Sequence, residues 1–211
     1  CFFSDYISDI WVKPSNSKHI ILATDDSYFR EFTGVWYSGD GGADWYMGAN
    51  LNYENFNARC LTLAADPNNS NTNYVGTCAS GYIYKSTSGG TFWTLFSPSG
   101  EWVNEVRDIE VGLDSNLYAA TSNGIWKGRA SNMTKLTGIP FDNLISVFFT
   151  SSNTGWAVGY WGTILKTTNG GDNWSLKTSY TMRNLYSVHF YDSTTGLAVG
   201  KYGTIVRTND G

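Results

Sequence analysis

The residues best suited to chemistry are arginines and carboxylates near the starts of apolar strands. Six arginines occur in the 211 residues. Arg59 and Arg107 stand at equivalent positions, each two residues before an apolar residue, and Arg183 precedes a later apolar stretch. Guanidinium groups hold carboxylates through bidentate hydrogen bonds. These three arginines therefore predict an anion site, and the alternative is ordinary pairing with neighbouring acids.

Hydrolytic chemistry has few other candidates in this sequence. A paired-carboxylate glycosidase needs two acids about 5–10 Å apart, and Asp9 with Asp108 or Glu110 is the pair to name. No Gly-x-Ser-x-Gly motif is present for a serine nucleophile. The histidines, His19 and His189, lie far apart in the chain and no His/Cys cluster has metal-ligand spacing. The sequence predicts neither a metal site nor a cofactor, and no catalytic residue is assigned.

Aromatic residues in short turns form the other candidate site. Tyr82, Tyr160, Trp161 and Tyr202 all fall between apolar segments. The same predicted rim loops also carry Tyr28, Phe29, Tyr53, Phe56, Trp102, Phe141 and Tyr180. Tyrosine and tryptophan offer flat apolar faces with a polar edge, which suit a sugar ring or a protein hot spot. We predict a ligand-binding rim at these residues together with the three arginines, against the alternative that the rings pack over strand ends.

An internal repeat must position these residues. The segment "TGWAVGYWGTILKTTNGGDNW" from Thr154 matches "TGLAVGKYGTIVRTNDG" from Thr195 at an offset of 41 residues. Weaker copies lie upstream, where the sequences "GVWYS" from Gly34, "YIYKS" from Tyr82 and "GIWKG" from Gly124 correspond to the second strand of the pair. A preceding apolar strand recurs with the same period, near 43 residues, and is centred on Trp11, Thr62, Glu110, Phe148 and His189.

Repeats of about 40–50 residues with several short strands are typical of a β-propeller, in which each sheet buries its faces against its neighbours. We predict an all-β fold, with about five four-stranded blades forming one domain over residues 1–211. Gly211 aligns with Gly170 and Cys1 with about Ser179, so the last blade would have three strands. The alternative is that the chain is part of a six- or seven-bladed propeller.

The turn after each third strand carries the most specific motif, Ser/Thr-x-Asp/Asn-x-Gly-x-x-Trp. The acidic or amide side chain accepts backbone N–H groups within the turn, glycine permits a positive φ, and the indole covers the hairpin. The motif residues are Ser38, Asp40, Gly42 and Trp45; Ser86, Ser88, Gly90 and Trp93; Thr167, Asn169, Gly171 and Trp174; and the incomplete Thr208 and Asp210.

This motif resembles the Asp-box (BNR) repeat of sialidases and related β-propellers. The last two repeats also resemble the propellers of photosystem II assembly factors, and "GVWYSGDGGADW" resembles the first repeats of xyloglucan-hydrolysing propellers. The resemblance covers essentially the whole chain and specifies the fold better than the function. It implies a secreted or cell-surface protein. The Arg-Ile-Pro motif that sialidases carry ahead of the first box is absent, which puts sialidase chemistry in doubt.

The chain has three cysteines, whose state depends on the cellular compartment of the protein. Cys60 and Cys78 flank a loop centred on Asn69, so a symmetric hairpin would place them side by side, as a disulfide or as two buried thiols. Three interpretations of Cys1 remain open: it carries a lipid anchor, it is a thiol that pairs with another molecule, or its position only reflects where the chain was cut.

Composition excludes several partners. Charged residues make up 15% of the chain and the net charge is −4, so no basic patch predicts nucleic-acid binding. No apolar stretch approaches the length of a membrane span. We expect a non-catalytic extracellular module that binds protein or carbohydrate. The alternatives are a fragment of a glycoside hydrolase, sialidase-like or xyloglucanase-like, and an assembly factor that docks on a membrane protein complex.

Overall fold

The computed structural model describes residues 7–24, 34–51, 60–78, 81–96, 105–129, 132–136 and 143–211, with residues 60 and 61 as backbone only. The chain divides into two compact units, Cys1–Ile109 and Glu110–Gly211. The expectation of one domain over residues 1–211 stays a prediction.

The first unit contains two antiparallel sheets. Sheet 1 has the order β1-β2-β3-β4 and sheet 2 the order β5-β6-β7-β8. Their strands are β1 (Ile7–Val12), β2 (Ile20–Thr24), β3 (Gly34–Ser38) and β4 (Tyr46–Met47), then β5 (Cys60–Asp66), β6 (Asn69–Thr77), β7 (Ile83–Ser86) and β8 (Thr94–Leu95). Within each sheet, each strand pairs antiparallel with the next one along the chain.

The second unit repeats this pattern, and the division between the units falls inside β9. Sheet 3 consists of β9 (Val106–Val111), β10 (Leu117–Thr121), β11 (Gly124–Arg129) and β12 (Asn132–Lys135). Sheet 4 consists of β13 (Leu144–Phe149), β14 (Gly155–Gly159), β15 (Ile164–Thr167) and β16 (Ser175–Lys177). Sheet 5 has three strands, β17 (Leu185–Phe190), β18 (Gly196–Gly200) and β19 (Thr204–Thr208).

The predicted fold class is confirmed, because the described residues form five meander sheets of the kind that make up a β-propeller. All five predicted apolar strands are present as β1, β5, β9, β13 and β17. The middle strands are buried on both faces, as in the fully buried pattern of β10 and β14. For β14 the burial follows from sheets 3 and 5, which pack on the two faces of sheet 4.

A bulge at the start of the first strand links neighbouring sheets. The register shifts between Ile7 and Asp9 in β1, and between Leu144 and Ser146 in β13. The side chain after the bulge accepts a backbone N–H from the first strand of the next sheet along the chain. Leu63 N lies 2.7 Å from Asp9 Oδ2, Ile109 N lies 3.3 Å from Thr62 Oγ1, and Val188 N lies 3.4 Å from Ser146 Oγ.

Each unit has its own apolar core between sheets. In the first unit a core forms around Ile21, Val75, Tyr84 and Trp93. In the second unit one cluster contains Tyr118, Phe149 and Leu165, and another contains Trp156, Val188 and Phe190. Sheets stacked in this way leave their turns at the two ends of the strands, and these turns carry the candidate sites.

Candidate functional site

Three segments of the second unit meet at one end of sheets 4 and 5. They are the β14–β15 turn at Tyr160–Gly162, the β18–β19 turn at Lys201–Gly203, and the segment 178–184 that leads into β17. We call their exposed side chains Trp161, Tyr180, Met182, Arg183, Lys201 and Tyr202 the rim patch. The Asp-box turns lie at the opposite end of the strands, because they follow the third strand of each sheet.

Hydrogen bonds fix the two turns to the segment before β17. Asn184 Oδ1 accepts Trp161 N at 3.2 Å, and the Asn184 carbonyl accepts Lys201 N at 2.9 Å. Gly162 has a φ of +73°, and a Cβ there would collide with the Thr181 carbonyl. Only glycine therefore allows the segment to lie this close to the β14–β15 turn.

Both turns hold an aromatic residue in the left-handed region of the backbone map. Trp161 has a φ of 57° and Tyr202 a φ of 59°, each in the middle of a single 3-10 turn. Non-glycine residues adopt this conformation uncommonly, and bulky ones more rarely still. The repeated turn thus presents a large ring outward at a backbone cost, which makes it a candidate for function.

The large side chains of the rim patch are strongly exposed to solvent. The exposed fraction is 71% for Trp161, 94% for Tyr180, 75% for Met182 and 77% for Tyr202. Isolated exposed apolar residues are normal on protein surfaces, whereas several held together mark an interaction site. These rings do not pack over the strand ends.

Two cations lie beside one of the rings. The Arg183 guanidinium carbon is 5.1 Å from the centre of the Tyr202 ring, and Lys201 Nζ is 4.9 Å from it. Cation–π contacts of this length are each worth about 0.5–1 kcal/mol at exposed sites. They orient Tyr202 and give the patch a positive border. The sequence identified Arg183 and Tyr202, but not the part played by Lys201 and Met182.

The other predicted ligand residues that the structure describes are Tyr160 in the second unit and Tyr82 and Arg107 in the first unit. Tyr160 is half-buried beside Trp161, and Tyr82 is half-buried in the first unit, with its backbone bonded to Thr77. Arg107 pairs with Glu105 at 2.7 Å. That contact is the ordinary ion pair given as the alternative to an anion site. Arg59 lies outside the described residues.

Each Asp-box turn is closed by hydrogen bonds from backbone N–H groups to the side chains of the motif. Asp40 Oδ1 accepts Ala43 N at 2.9 Å, and Gly42 N donates to Ser38 Oγ at 2.8 Å. Bonds from the Asp44 N–H and the Ser38 hydroxyl hold the pKa of Asp40 below its usual value. The same bonds recur from Gly90 N and Phe92 N to Ser86 and Ser88, and from Gly171 N and Asn173 N to Thr167 and Asn169.

The indole N–H of each complete box donates to the box glycine. Trp45 Nε1, Trp93 Nε1 and Trp174 Nε1 lie 3.0, 2.8 and 3.0 Å from the carbonyls of Gly42, Gly90 and Gly171. The incomplete box begins in the same way, because Thr208 Oγ1 donates to Asp210 Oδ1 at 2.7 Å. These residues serve the hairpin and present no reactive group at the rim.

A register shift in β5 affects the predicted pairing of Cys60 with Cys78. The backbone pairs Cys60 with Thr77 rather than with Cys78, because the register of β5 shifts between Cys60 and Thr62. Cys78 Sγ lies 3.5 Å from Glu105 Oε1. The Cys60 side chain and Cys1 lie outside the described residues, so the disulfide and the lipid anchor stay predictions.

Within the described part of the chain, no group of three or more His, Cys, Asp or Glu side chains could hold a metal ion. Among those residues, no helix is long and apolar enough to cross a bilayer. His189 is exposed, and its ring centre lies 4.6 Å from that of Phe148.

Comparison with known proteins gives the relatives of this architecture. Residues 131–209 match the family model of the photosynthesis system II assembly factor YCF48. The predicted resemblance to BNR-repeat propellers is confirmed. The matched range contains the whole rim patch. No curated protein sequence matches the chain significantly.

Solved structures show the fold. The GH74 xyloglucanase from Xanthomonas campestris superimposes with a TM-score of 0.78 at 15% identity, over 95% of this chain and 36% of that chain. The GH74 enzyme from Niastella koreensis gives 0.73 at 18%, over 96% and 35%. A YCF48 with a bound D1 peptide gives 0.47 at 14%, over 100% and 82%. The chain thus spans about a third of the length of these two GH74 enzymes.

Proposed function

We propose that this chain is a non-catalytic binding module that engages a protein partner through the rim patch. The supporting observation is a group of four largely exposed side chains, Trp161, Tyr180, Met182 and Tyr202. They lie on two turns and on the segment 178–184, and Asn184 of that segment bonds to both turns. Protein interfaces are enriched in aromatic residues, methionine and arginine. The patch contains all three kinds of side chain.

The family match supports a protein partner over a substrate. The model that covers the rim patch is named for an assembly factor, a class of protein that acts by binding other proteins. The described carboxylates support the non-catalytic part of the proposal. Asp9 accepts Leu63 N, and Asp108 accepts Ile109 N at 2.9 Å and Thr62 Oγ1 at 3.3 Å. Both acids are engaged in joining strands.

Carbohydrate binding is the second candidate, favoured by the exposed flat faces of Trp161 and Tyr180. The glycoside hydrolase alternative has the fold similarity to GH74 enzymes alone. We also propose an extracellular or cell-surface location, on the resemblance to Asp-box propellers. A Cys60–Cys78 disulfide in protein isolated from its source, found by mass after alkylation, would support that location, and two alkylated thiols would contradict it.

A comparative binding experiment tests the rim patch. The wild-type chain, the double variant Trp161→Ala/Tyr202→Ala and the control Tyr191→Ala are immobilised and exposed to an extract of the cells that make the protein. Tyr191 is a matched control, because it is 89% exposed and follows β17 at the opposite end of the strands.

We expect a protein retained by wild type and by Tyr191→Ala to be reduced at least tenfold with the double variant. If every retained protein binds all three chains equally, the rim patch is not the binding surface. A parallel panel of xyloglucan oligosaccharides and sialosides separates the second candidate. Saturable glycan binding lost in the double variant would replace the protein reading with a carbohydrate one.

A further inference from the structure

A thiol, a carboxylate and a guanidinium meet in the first unit, whereas the rim patch belongs to the second. Cys78 Sγ lies 3.5 Å from Glu105 Oε1, to which it donates a hydrogen bond. Arg107 Nη2 and Nε donate to Glu105 Oε2 at 2.7 and 2.9 Å. The thiol and the guanidinium therefore bind the two oxygens of one carboxylate. We call these three side chains the thiol cluster.

Close packing of two strands holds the thiol cluster together. Cys78 directly follows β6, and Glu105 directly precedes β9. Gly76 in β6 faces β9, and a Cβ at this position would collide with the Val106 side chain. Glycine inside a strand marks such a close approach. A larger residue at this position would separate the strands and move Glu105 away from the thiol.

The repeat brings the same two positions together in other sheets. They are the residue after a second strand and the residue before the first strand of the next sheet along the chain. In the second unit these positions hold Ser122 with Asn143, where Asn143 N donates to the Ser122 carbonyl at 3.1 Å. They also hold Tyr160 with Asn184, whose Oδ1 accepts the N–H of Trp161, the residue after Tyr160, at 3.2 Å. Of the three pairs, the one in the first unit alone combines a nucleophile with a base.

The thiol cluster has the arrangement of an activated nucleophile. Such a nucleophile lies within hydrogen-bond reach of a base, and a third group orients the base. Cys78 is the nucleophile, Glu105 is the base, and Arg107 orients the carboxylate. A carboxylate alone would repel a thiolate. Here the thiol proton moves to Glu105, the charge of Arg107 stays beside the new anion, and the three groups together remain neutral.

Access to the thiol cluster favours a small reagent. Cys78 is half-buried, and the side chains of Glu105 and Arg107 are 31% and 14% exposed. A bulky electrophile would have to displace these side chains to reach the sulfur, whereas hydrogen peroxide is small and uncharged. Oxidation of a cysteine depends on its thiolate character and on its accessibility. The thiol cluster provides both for a reagent of this size.

We propose that Cys78 of the reduced chain is a modification site, at which hydrogen peroxide oxidises the thiol to a sulfenic acid. Glu105 accepts the thiol proton as the sulfur attacks one oxygen of the peroxide. The S–O bond forms, the O–O bond breaks, and the leaving hydroxide takes the proton from Glu105 to become water. Sulfur gives up the electron pair that the peroxide gains. No residue of the rim patch takes part, so failure of this proposal leaves the proposed function unaffected.

Dimedone, which adds to sulfenic acids, provides the test. The parent variant Cys1→Ser/Cys60→Ser leaves Cys78 as the single cysteine of the 211-residue chain. The reduced protein is mixed with hydrogen peroxide and dimedone, and the rate of adduct formation is followed by intact mass. The same chain unfolded in guanidinium chloride gives the rate of a thiol without its neighbours. We expect the folded chain to react at least tenfold faster than the unfolded one.

Variants of the neighbouring residues, made in the parent chain, assign the roles. Glu105→Gln should lower the rate at least tenfold, because the amide keeps the shape of the side chain and cannot accept the proton. Arg107→Gln should lower it severalfold, and Arg107→Lys, which restores the positive charge, should recover most of the loss. Asp108→Asn is the matched control, because this carboxylate of the same strand bonds to Thr62 Oγ1 and to Ile109 N. It should keep the parent rate.

Equal rates for the folded and unfolded parent chains, or the parent rate in folded Glu105→Gln, overturn the proposal. Fast alkylation by iodoacetamide without a dimedone adduct also overturns it, because the thiol would then be reactive and yet not oxidised by peroxide. Thermal unfolding checks that each variant is folded. The comparison of the folded with the unfolded parent uses no variant of the cluster, so it decides the proposal even where Glu105→Gln lowers stability.

Discussion

At the scale of single residues, one inter-sheet hydrogen bond is made by three kinds of side chain. Asp9, Thr62 and Ser146 each accept a backbone N–H from the neighbouring sheet. The hydroxyls do so without charge, whereas Asp9 must place a carboxylate in a half-buried position. Burial raises the pKa of Asp9 more than the Leu63 and Ile10 N–H bonds lower it.

The raised pKa of Asp9 predicts a specific pH dependence. The folded state binds the proton more tightly than the unfolded chain, so Asp9 lowers the free energy of unfolding as pH rises from about 4 through the folded-state pKa. The variant Asp9→Asn keeps an oxygen acceptor and removes this loss. Urea unfolding at several pH values should show Asp9→Asn gaining stability relative to wild type as pH rises through this window.

Asp192 provides the opposite case as a control. Its pKa is lowered by bonds from the Thr194 hydroxyl and from the Thr195 and Thr194 N–H groups. Its stabilisation is present above about pH 4 and disappears as pH falls through the folded-state pKa. Asp192→Asn should therefore lose stability relative to wild type as pH rises. Slopes of the same sign for both variants would refute this account of Asp9.

Residue types predicted the Asp-box better than the rim. The Asx-type acceptor, the flexible glycine and the covering indole were all readable from the motif. Two further bonds, from Gly42 N to the Ser38 hydroxyl and from the Trp45 indole to the Gly42 carbonyl, form only when the turn is closed. The motif alone did not predict them. At the rim, residue type does not reveal the positive φ of Trp161 and Tyr202, because aromatic side chains have no preference for the left-handed region.

At the scale of elements, the sequence repeat predicted where the strands lie. Bulges within the strands prevented the prediction of which residues face each other across a pair. The period placed β13 and β17 correctly, since apolar residues must recur wherever a sheet meets its neighbour. The bulges in β1, β5, β13 and β17 insert a residue without changing the apolar pattern. This is why the symmetric pairing of Cys60 with Cys78 was off by one position.

The box tryptophans predict a graded effect on stability. Trp93 is fully buried between sheets 1 and 2, while Trp45 of sheet 1 is half-buried. Trp93→Ala leaves a cavity lined by Ile21 and Val75 and should cost about 3–5 kcal/mol, against about 1–2 kcal/mol for Trp45→Ala. Chemical denaturation measures both. Equal costs would mean that the hydrogen bond from the indole to the box glycine, and not burial between sheets, accounts for the contribution of the indole to stability.

At the scale of the whole molecule, stability should be local along the chain. In a repeat architecture each sheet contacts its neighbours, so the effect of a core substitution decays with distance in sequence. The cores around Trp93 and around Trp156 belong to different units of the chain. Hydrogen exchange reports the opening of such regions separately.

Exchange measured by mass spectrometry on Trp93→Ala provides the test. Amides of β2, β5 and β6 should exchange at least tenfold faster than in wild type, because the substitution removes the contact between sheets 1 and 2. Amides of β17 and β18 should keep their wild-type rates. Trp156→Ala should give the converse pattern, since Trp156 supports Val188 and Phe190 in sheet 5. Uniform acceleration in all five sheets by either variant would show that the chain opens as a single cooperative unit.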